Sequence, residues 1–232
     1  MYHKVQVIPS EPGYLRNYVF PAQFDRQLTS LTAWGYTPIT MEQWVEIREG
    51  RQESPKRPIA ITFDDGYRSV YENAWPLLRS RGMAATVFLV ASFIGKTNQW
   101  DANEVQEPLL NPAEIMEMQR GGICFGSHTL SHRPLTGLSR PALLNELTRS
   151  RDVIEALLGQ PIATLAYPYN KQNRQIRTVA RQAGYSAAVL GRGRINARWT
   201  NPQALMRIAI DFETTFEEFE SRLRRPRYVV GF

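Results

Sequence analysis

One cysteine, Cys124, is all that the 232 residues contain, so no disulfide can form within the chain. Between Ile123 and Phe125 it reads as a small buried apolar side chain rather than a nucleophile, and a single thiol does not report the redox compartment. Histidine is almost as scarce, with only His3, His128 and His132. No run of about 18 apolar residues occurs, so no transmembrane helix is expected. No signal peptide is read either: Met1-Tyr2-His3-Lys4-Val5 passes straight into strand-like sequence, which is also how a fragment lacking upstream residues would begin. Repeats and low-complexity tracts are absent. The one dense basic run, Arg222, Arg224, Arg225 and Arg227, lacks the interleaved aromatics and signatures of a nucleic-acid module, so no nucleic-acid partner is expected. The net charge of +6 then reads as solubility, with attraction to an anionic envelope as the alternative.

Hydrophobic content of 43% and charged content of 22% are ordinary for a globular chain, and this length suits one domain with a full core. Strand and helix signals alternate. Strands are expected at 2–8, 36–39, 59–63, 84–90, 122–126, 163–167, 185–189 and 205–210. Phe24, Leu28, Leu31 and Trp34 recur at helical spacing up to Gly35, and Thr40 with Gln43 forms a capping box for a helix to about Glu49. Further helices are expected at 69–81, after Asn111-Pro112, from Ser139 to Leu158, at 174–183 and after Thr215. Residues 92–110 read as an irregular insertion. Repeated strand-then-helix order predicts an α/β fold with a parallel sheet, closed into an irregular barrel of seven or eight units. The chemically notable residues fall just after strands, where barrels of this kind carry their chemistry.

Asp64-Asp65-Gly66 follows the strand ending at Phe63. Neighbouring strand residues point to opposite faces, so both carboxylates reach one cleft only if the strand stops there and the chain turns, which Gly66 permits. Two close carboxylates raise one pKa unless a cation lies between them. His128 and His132 have the H-x-x-x-H spacing that places two imidazoles on one side of a helical turn, and imidazole is the commonest side-chain metal ligand. With Asp65 they would form a two-histidine, one-carboxylate site with open positions, as catalytic zinc requires. The ligands alone do not choose among Zn2+, Fe2+, Co2+ and Ni2+; Zn2+ is the expectation.

The segments Ile61-Thr62-Phe63-Asp64-Asp65-Gly66-Tyr67, Gly126-Ser127-His128-Thr129-Leu130-Ser131-His132 and Ala166-Tyr167-Pro168-Tyr169 resemble, in order, three motifs of the polysaccharide deacetylases, carbohydrate esterase family 4. The resemblance spans Met1 to about Arg222. It implies a distorted, TIM-like (β/α)7 barrel in one catalytic domain over 1–232, with a basic tail at 223–232. It implies Asp64 as general base, Asp65, His128 and His132 as metal ligands, and the Tyr169 backbone N–H as oxyanion donor. The implied reaction is metal-dependent removal of N-acetyl groups from an N-acetylglucosamine-containing polymer outside the cytoplasm or in the envelope.

Two departures stand out. Ala166 occupies the place of the family's usual Arg, and no histidine follows His132 to supply the usual late Leu-x-His acid. His3 resembles the first-strand histidine of the subgroup that includes the poly-β-1,6-N-acetylglucosamine deacetylases, and takes the acid's place on that likeness. Arg207 resembles the late Arg of the same subgroup and could hold Asp64 ionised. The rival expectations are an O-acetyl esterase of acetylxylan type on the same scaffold, or a catalytically weak carbohydrate-binding domain. Trp100 in the insertion is a candidate for sugar stacking or a loop anchor. Trp34 and Trp44 read as core, and Tyr167 and Tyr185 as core or as support for the site.

Overall fold

The computed structural model describes residues 1–7, 17–191, 193 and 195–224. Ile8, Arg225 and Arg227, which figure in the expected first strand and basic run, lie outside these. The elements are β1 (Lys4–Val5), β2 (Tyr18–Val19), α1 (Pro21–Ala33), β3 (Thr37–Ile39), α2 (Met41–Arg48), β4 (Pro58–Ala60), β5 (Thr62–Phe63), α3 (Trp75–Ser80), β6 (Ala85–Leu89), α4 (Pro112–Arg120), β7 (Ile123–Ser127), α5 (Arg140–Leu158), β8 (Thr164–Ala166), α6 (Arg174–Gln182), β9 (Ala187–Val189) and α7 (Phe216–Arg224).

Capping chemistry sets most helix ends. Thr40 and Gln43 bond reciprocally at the start of α2, and Asn111 and Glu114 do the same at α4 behind Pro112. Each pair satisfies two backbone N–H groups that a helix start leaves unpaired. Gly159, at φ 67°, ends α5 in the left-handed conformation that glycine adopts at little cost. The helix expected at 69–81 is not uniform: Val70–Ala74 is a π-helical turn, and α3 begins only at Trp75. Pro76 has no N–H to give to an α-helical ladder, and the wider turn precedes it.

The strands are all paired in parallel. β5-β6-β7-β8-β9 form one sheet, with β1-β2 and β3-β4 as separate pairs. The strand expected at 59–63 is split: Ile59 and Ala60 pair with Pro38 and Ile39, while Thr62 and Phe63 pair with Thr86 and Val87. The two halves belong to different sheets. The strand expected at 205–210 is reduced to a bridge of Leu205 with Val189, after which its bonds go to the chain start. The Met1 amino group donates to the Ile208 carbonyl at 2.8 Å and Ile210 N–H to the Met1 carbonyl at 2.9 Å. Tyr2 in turn bridges Phe63. Hydrogen bonds thus run from β9 to β5 through these two segments, and the sheet is curled. An α/β fold with a curled parallel sheet, helices outside, is the architecture; among the described residues the nine strands fall into one sheet of five and two pairs, not into a single closed sheet of seven.

The main core fills the space inside and around this sheet. Tyr2, Phe24 and Phe63 are buried there with ring centroids 5.1 to 5.7 Å apart, a spacing at which edge and offset contacts stabilise beyond area burial. Trp34 and Trp44 are half-buried rather than core. Trp34 packs against Phe216 and Phe219 of α7, and Trp44 lies beside a smaller apolar cluster around Phe88 and Leu205. Cys124 is also only half-buried, with its Sγ 2.8 Å from Glu42 Oε2. No helix is long and apolar enough to cross a membrane among the described residues.

Candidate active site

β5 ends at Phe63, and Asp64 N–H donates to the Tyr2 carbonyl at 3.0 Å. Asp65 and Gly66 then take φ values of 72° and 75°. This double left-handed turn lets adjacent carboxylates face one cleft. Only glycine fits at 66 without strain, and a Cβ there would also come within 2.9 Å of Leu89 Cδ2.

The histidine pair is built differently from the expected helical turn. Residues 128–132 form a loop in which Thr129 has φ 69° and His132 φ 59°. A β-branched residue is rarely found there, and three bonds hold it. The Ser127 hydroxyl accepts from Thr129 N–H and the Thr129 hydroxyl from His132 N–H, both at 3.1 Å, and Ala91 N–H donates to the Thr129 carbonyl at 3.0 Å. Glu146 on α5 accepts from both the N–H and the hydroxyl of Ser131 at 2.6 and 2.9 Å.

The loop brings His128 Nε2 and His132 Nε2 to 3.3 and 3.2 Å from the same oxygen, Asp65 Oδ1. Asp65, His128 and His132 are each no more than 6% exposed. One donor atom from each lies within 4.8 Å of the other two. Asp65 Oδ1 is buried, yet has no hydrogen bond of good geometry. A buried acceptor without a partner is costly, and three converging donors of this kind fit a divalent cation. His128 Nδ1 lies 2.8 Å from the Ala166 carbonyl; donating there leaves the Nε2 lone pair turned toward Asp65, the usual arrangement of a metal-binding imidazole. His132 Nδ1 is 3.1 Å from the Tyr169 hydroxyl.

Asp64 has its own partner. Arg207 Nη1 and Nη2 reach its two oxygens at 2.7 and 2.6 Å, while Arg207 Nε and Nη1 also bond the Leu190 carbonyl and Thr62 hydroxyl. Arg207 is 8% exposed and stands behind Asp64, outside the cleft. Ala166 is fully buried against the cluster that holds Phe88, and the Arg207 guanidinium lies 5.5 Å from the Phe88 ring centroid. Charge on the 205–210 segment thus meets Asp64 where position 166 offers none.

The electrostatics follow. Burial raises the Asp64 carboxyl, but Arg207 and then His128 outweigh it and hold the group below the usual carboxylate range. Burial likewise opposes ionised Asp65, yet protons carried on the facing His128 and His132 nitrogens, and the charge of His3, hold it well below; a cation held by the Nε2 lone pairs would serve the same end. Neither carboxyl is raised, contrary to expectation from the pair alone, because each has its own cationic or hydrogen-bonding partners. His3 is half-buried, and burial lowers its pKa despite the attraction of Asp65 and Asp64. A cleft of about 590 Å³ is lined by His3, Asp64, Asp65, His128, His132 and Tyr169. Tyr169 is 46% exposed, at φ 56°. Tyr167 and Tyr185 are buried, and Tyr185 bonds the Ser150 hydroxyl that supports Ser127.

From sequence, Trp100 is expected to stack on a sugar or to anchor the loop; its contact with a histidine, and the pairing of Lys4, are not expected. Trp100 packs on His132, centroids 4.6 Å apart. Lys4, 3% exposed, lines the cleft and pairs with Glu107 of the insertion at 3.0 Å. The strand context of Lys4 gave no signal of a partner about a hundred residues away.

A family model described as polysaccharide deacetylase matches residues 51–188. The chain belongs to the polysaccharide deacetylase family. It is 27% identical to YxkH of Bacillus subtilis (strain 168) over 210 residues, 90% of this chain and 70% of that one. It is also 27% identical, over 180 residues, to poly-beta-1,6-N-acetyl-D-glucosamine N-deacetylase of Staphylococcus aureus; the match covers 73% of this chain and 60% of that protein, so the chain spans well under the relative's full length. The Streptococcus pyogenes deacetylase PplD, solved with acetate, is 24% identical and shares the fold, with a TM-score of 0.83 over 96% of this chain and 95% of that one.

Proposed function

We propose that this deacetylase is a metal-dependent hydrolase that removes N-acetyl groups from an N-acetylglucosamine-containing polysaccharide, with the whole chain as one catalytic domain. The observation that carries the proposal is the convergence of His128 Nε2 and His132 Nε2 on the orphaned Asp65 Oδ1 beside an Arg-paired Asp64. We read the curled sheet as a distorted (β/α)7 barrel, supported by the bonds that link its edges through Met1, Tyr2 and the 205–210 segment.

Asp65, His128 and His132 would hold the cation, for which the donor set suits Zn2+, with Co2+, Ni2+ or Fe2+ as alternatives. A divalent cation there supplies Lewis acidity and brings the pKa of a water from 15.7 toward about 7. Asp64, kept ionised by Arg207, accepts the proton of the attacking water. The C–O bond forms as charge builds on the former carbonyl oxygen, and the Tyr169 N–H donates to that oxygen; a donor of this kind is worth about 2.7–4 kcal/mol in other hydrolases. The C–N bond then breaks, and His3 delivers a proton to the leaving nitrogen. Burial opposes a charged His3 in the resting site; the proton it delivers is the one that Asp64 accepted from water, so the proton count closes and both groups return to their starting forms. Acetate and a free amine result. The likeness to the staphylococcal enzyme supports an amino-sugar polymer as substrate, and hence a site of action at or beyond the cell envelope.

The test is acetate release from poly-β-1,6-N-acetylglucosamine, chitin oligomers and acetylated xylan. Release from at least one N-acetylated polymer, faster than from acetylxylan, is expected. Release from acetylxylan alone would assign the site to ester hydrolysis.

A further inference from the structure

We propose that the 92–110 insertion is part of the metal centre: Trp100 and the Tyr169 hydroxyl are positioning residues for His132, so that binding the cation and seating the insertion are coupled. This rests on the reading of Asp65, His128 and His132 as ligands.

The two histidines are held by different means. The backbone carbonyl of Ala166, in the sheet, fixes His128. For His132 the corresponding partner is the hydroxyl of half-exposed Tyr169, a side-chain group rather than a backbone carbonyl fixed in the sheet. The remaining support is aromatic. The Trp100 ring lies 4.6 Å from the imidazole and tilted 31° to it, and the Tyr169 ring packs at 4.7 Å from another side. Without the indole, the imidazole has room to turn Nε2 away from Asp65.

Trp100 can act in this way only if the insertion is itself anchored, and it is. Phe93 packs against the indole at 5.1 Å. Asn98, 1% exposed, braces the loop from within: it donates to the Val105 carbonyl and accepts from Glu107 N–H. Glu107 then ties the loop to β1 and β2, through Lys4 at 3.0 Å and the Tyr18 hydroxyl at 2.7 Å. The indole is therefore held against His132 through β1 and β2 as well as through the 128–132 loop, whose Leu130 carbonyl accepts from Ser92 N–H at 2.9 Å. Coupling between two sites is reciprocal: if the seated insertion favours the binding orientation of His132, a bound cation must favour the seated insertion.

The test is titration of the purified chain with Co2+, read by its visible absorption, on wild type, Tyr169→Phe, Trp100→Ala and Trp100→Phe. Phenylalanine at 169 keeps the backbone N–H and removes only the hydroxyl. Tyr169→Phe and Trp100→Ala are expected to weaken Co2+ binding about tenfold or more, the usual consequence of losing a group that orients a ligand. Trp100→Phe, which keeps a ring against the imidazole, should recover most of the affinity and the wild-type spectrum. Amide hydrogen exchange over 97–106 should slow when Zn2+ is added to wild type. Wild-type affinity in both weakened variants, or exchange in 97–106 that ignores the metal, overturns the coupling. A wild-type chain that binds no Co2+ overturns the ligand reading beneath it.

Discussion

Asp64→Asn should bind metal as wild type does and release acetate about 10²–10⁴ times more slowly, the range that a positioned proton acceptor contributes. Asn is nearly isosteric and can still accept one hydrogen bond from Arg207, but it cannot take a proton from water. The substitution is not structurally silent. Arg207 is 8% exposed and bonds both Asp64 oxygens, so removing the carboxylate leaves a buried guanidinium poorly compensated. A lowered melting temperature with intact metal stoichiometry is therefore expected alongside the loss of turnover. Comparing kcat with bound metal separates the two effects. Turnover at the wild-type rate would remove Asp64 from the role of base.

Arg207→Ala carries the second large effect, and it acts on stability and pH dependence together. It strands Asp64, itself 4% exposed, as a buried carboxylate without its main countercharge, which typically costs about 3–5 kcal/mol. In wild type the Asp64 pKa is depressed, chiefly by Arg207 against the effect of burial. The stability that this depression contributes is present above the ordinary carboxyl pKa of about 3.9 and is lost as pH falls through the folded value. Without Arg207 burial dominates and the sign reverses: the folded pKa rises, and the penalty is felt at neutral pH and relieved on acidification. The acidic limb of the activity profile should therefore move to higher pH, because the base stays protonated longer. Melting temperature and kcat/KM, both followed from pH 5 to 9, check this. An unmoved acidic limb would mean that Arg207 braces the fold without tuning Asp64.

Much of this is legible in the sequence. The Asp64-Asp65-Gly66 turn and the histidine pair carry their own chemistry, and the caps at Thr40, Asn111 and Thr215 are local devices that a sequence states directly. Arg207 was singled out because position 166 lacks an Arg, but its bidentate bond spans 143 residues and no local pattern encodes it. The backbone of the site was hidden. Asp65, Thr129, His132, Tyr169 and Asn170 all have positive φ, and none is a glycine that would announce it. Strain of this kind persists only where surrounding contacts over-determine it, and those contacts are tertiary. For the same reason the four-residue histidine spacing suggested a helical turn, when a left-handed loop satisfies the same convergence. The single strand expected at 59–63 failed because a hydrophobic run does not say which neighbour each half pairs with.

Equilibrium dialysis of the wild-type chain and His128→Ala against Zn2+, with acetate release measured on the same samples before and after a chelator, bears most directly on the centre itself. One ion per wild-type chain, none held by His128→Ala, and activity that vanishes with the chelator and returns with added Zn2+ is the expected result. A wild-type chain that holds no ion, or one that deacetylates equally well without it, would contradict a two-histidine, one-carboxylate hydrolytic centre.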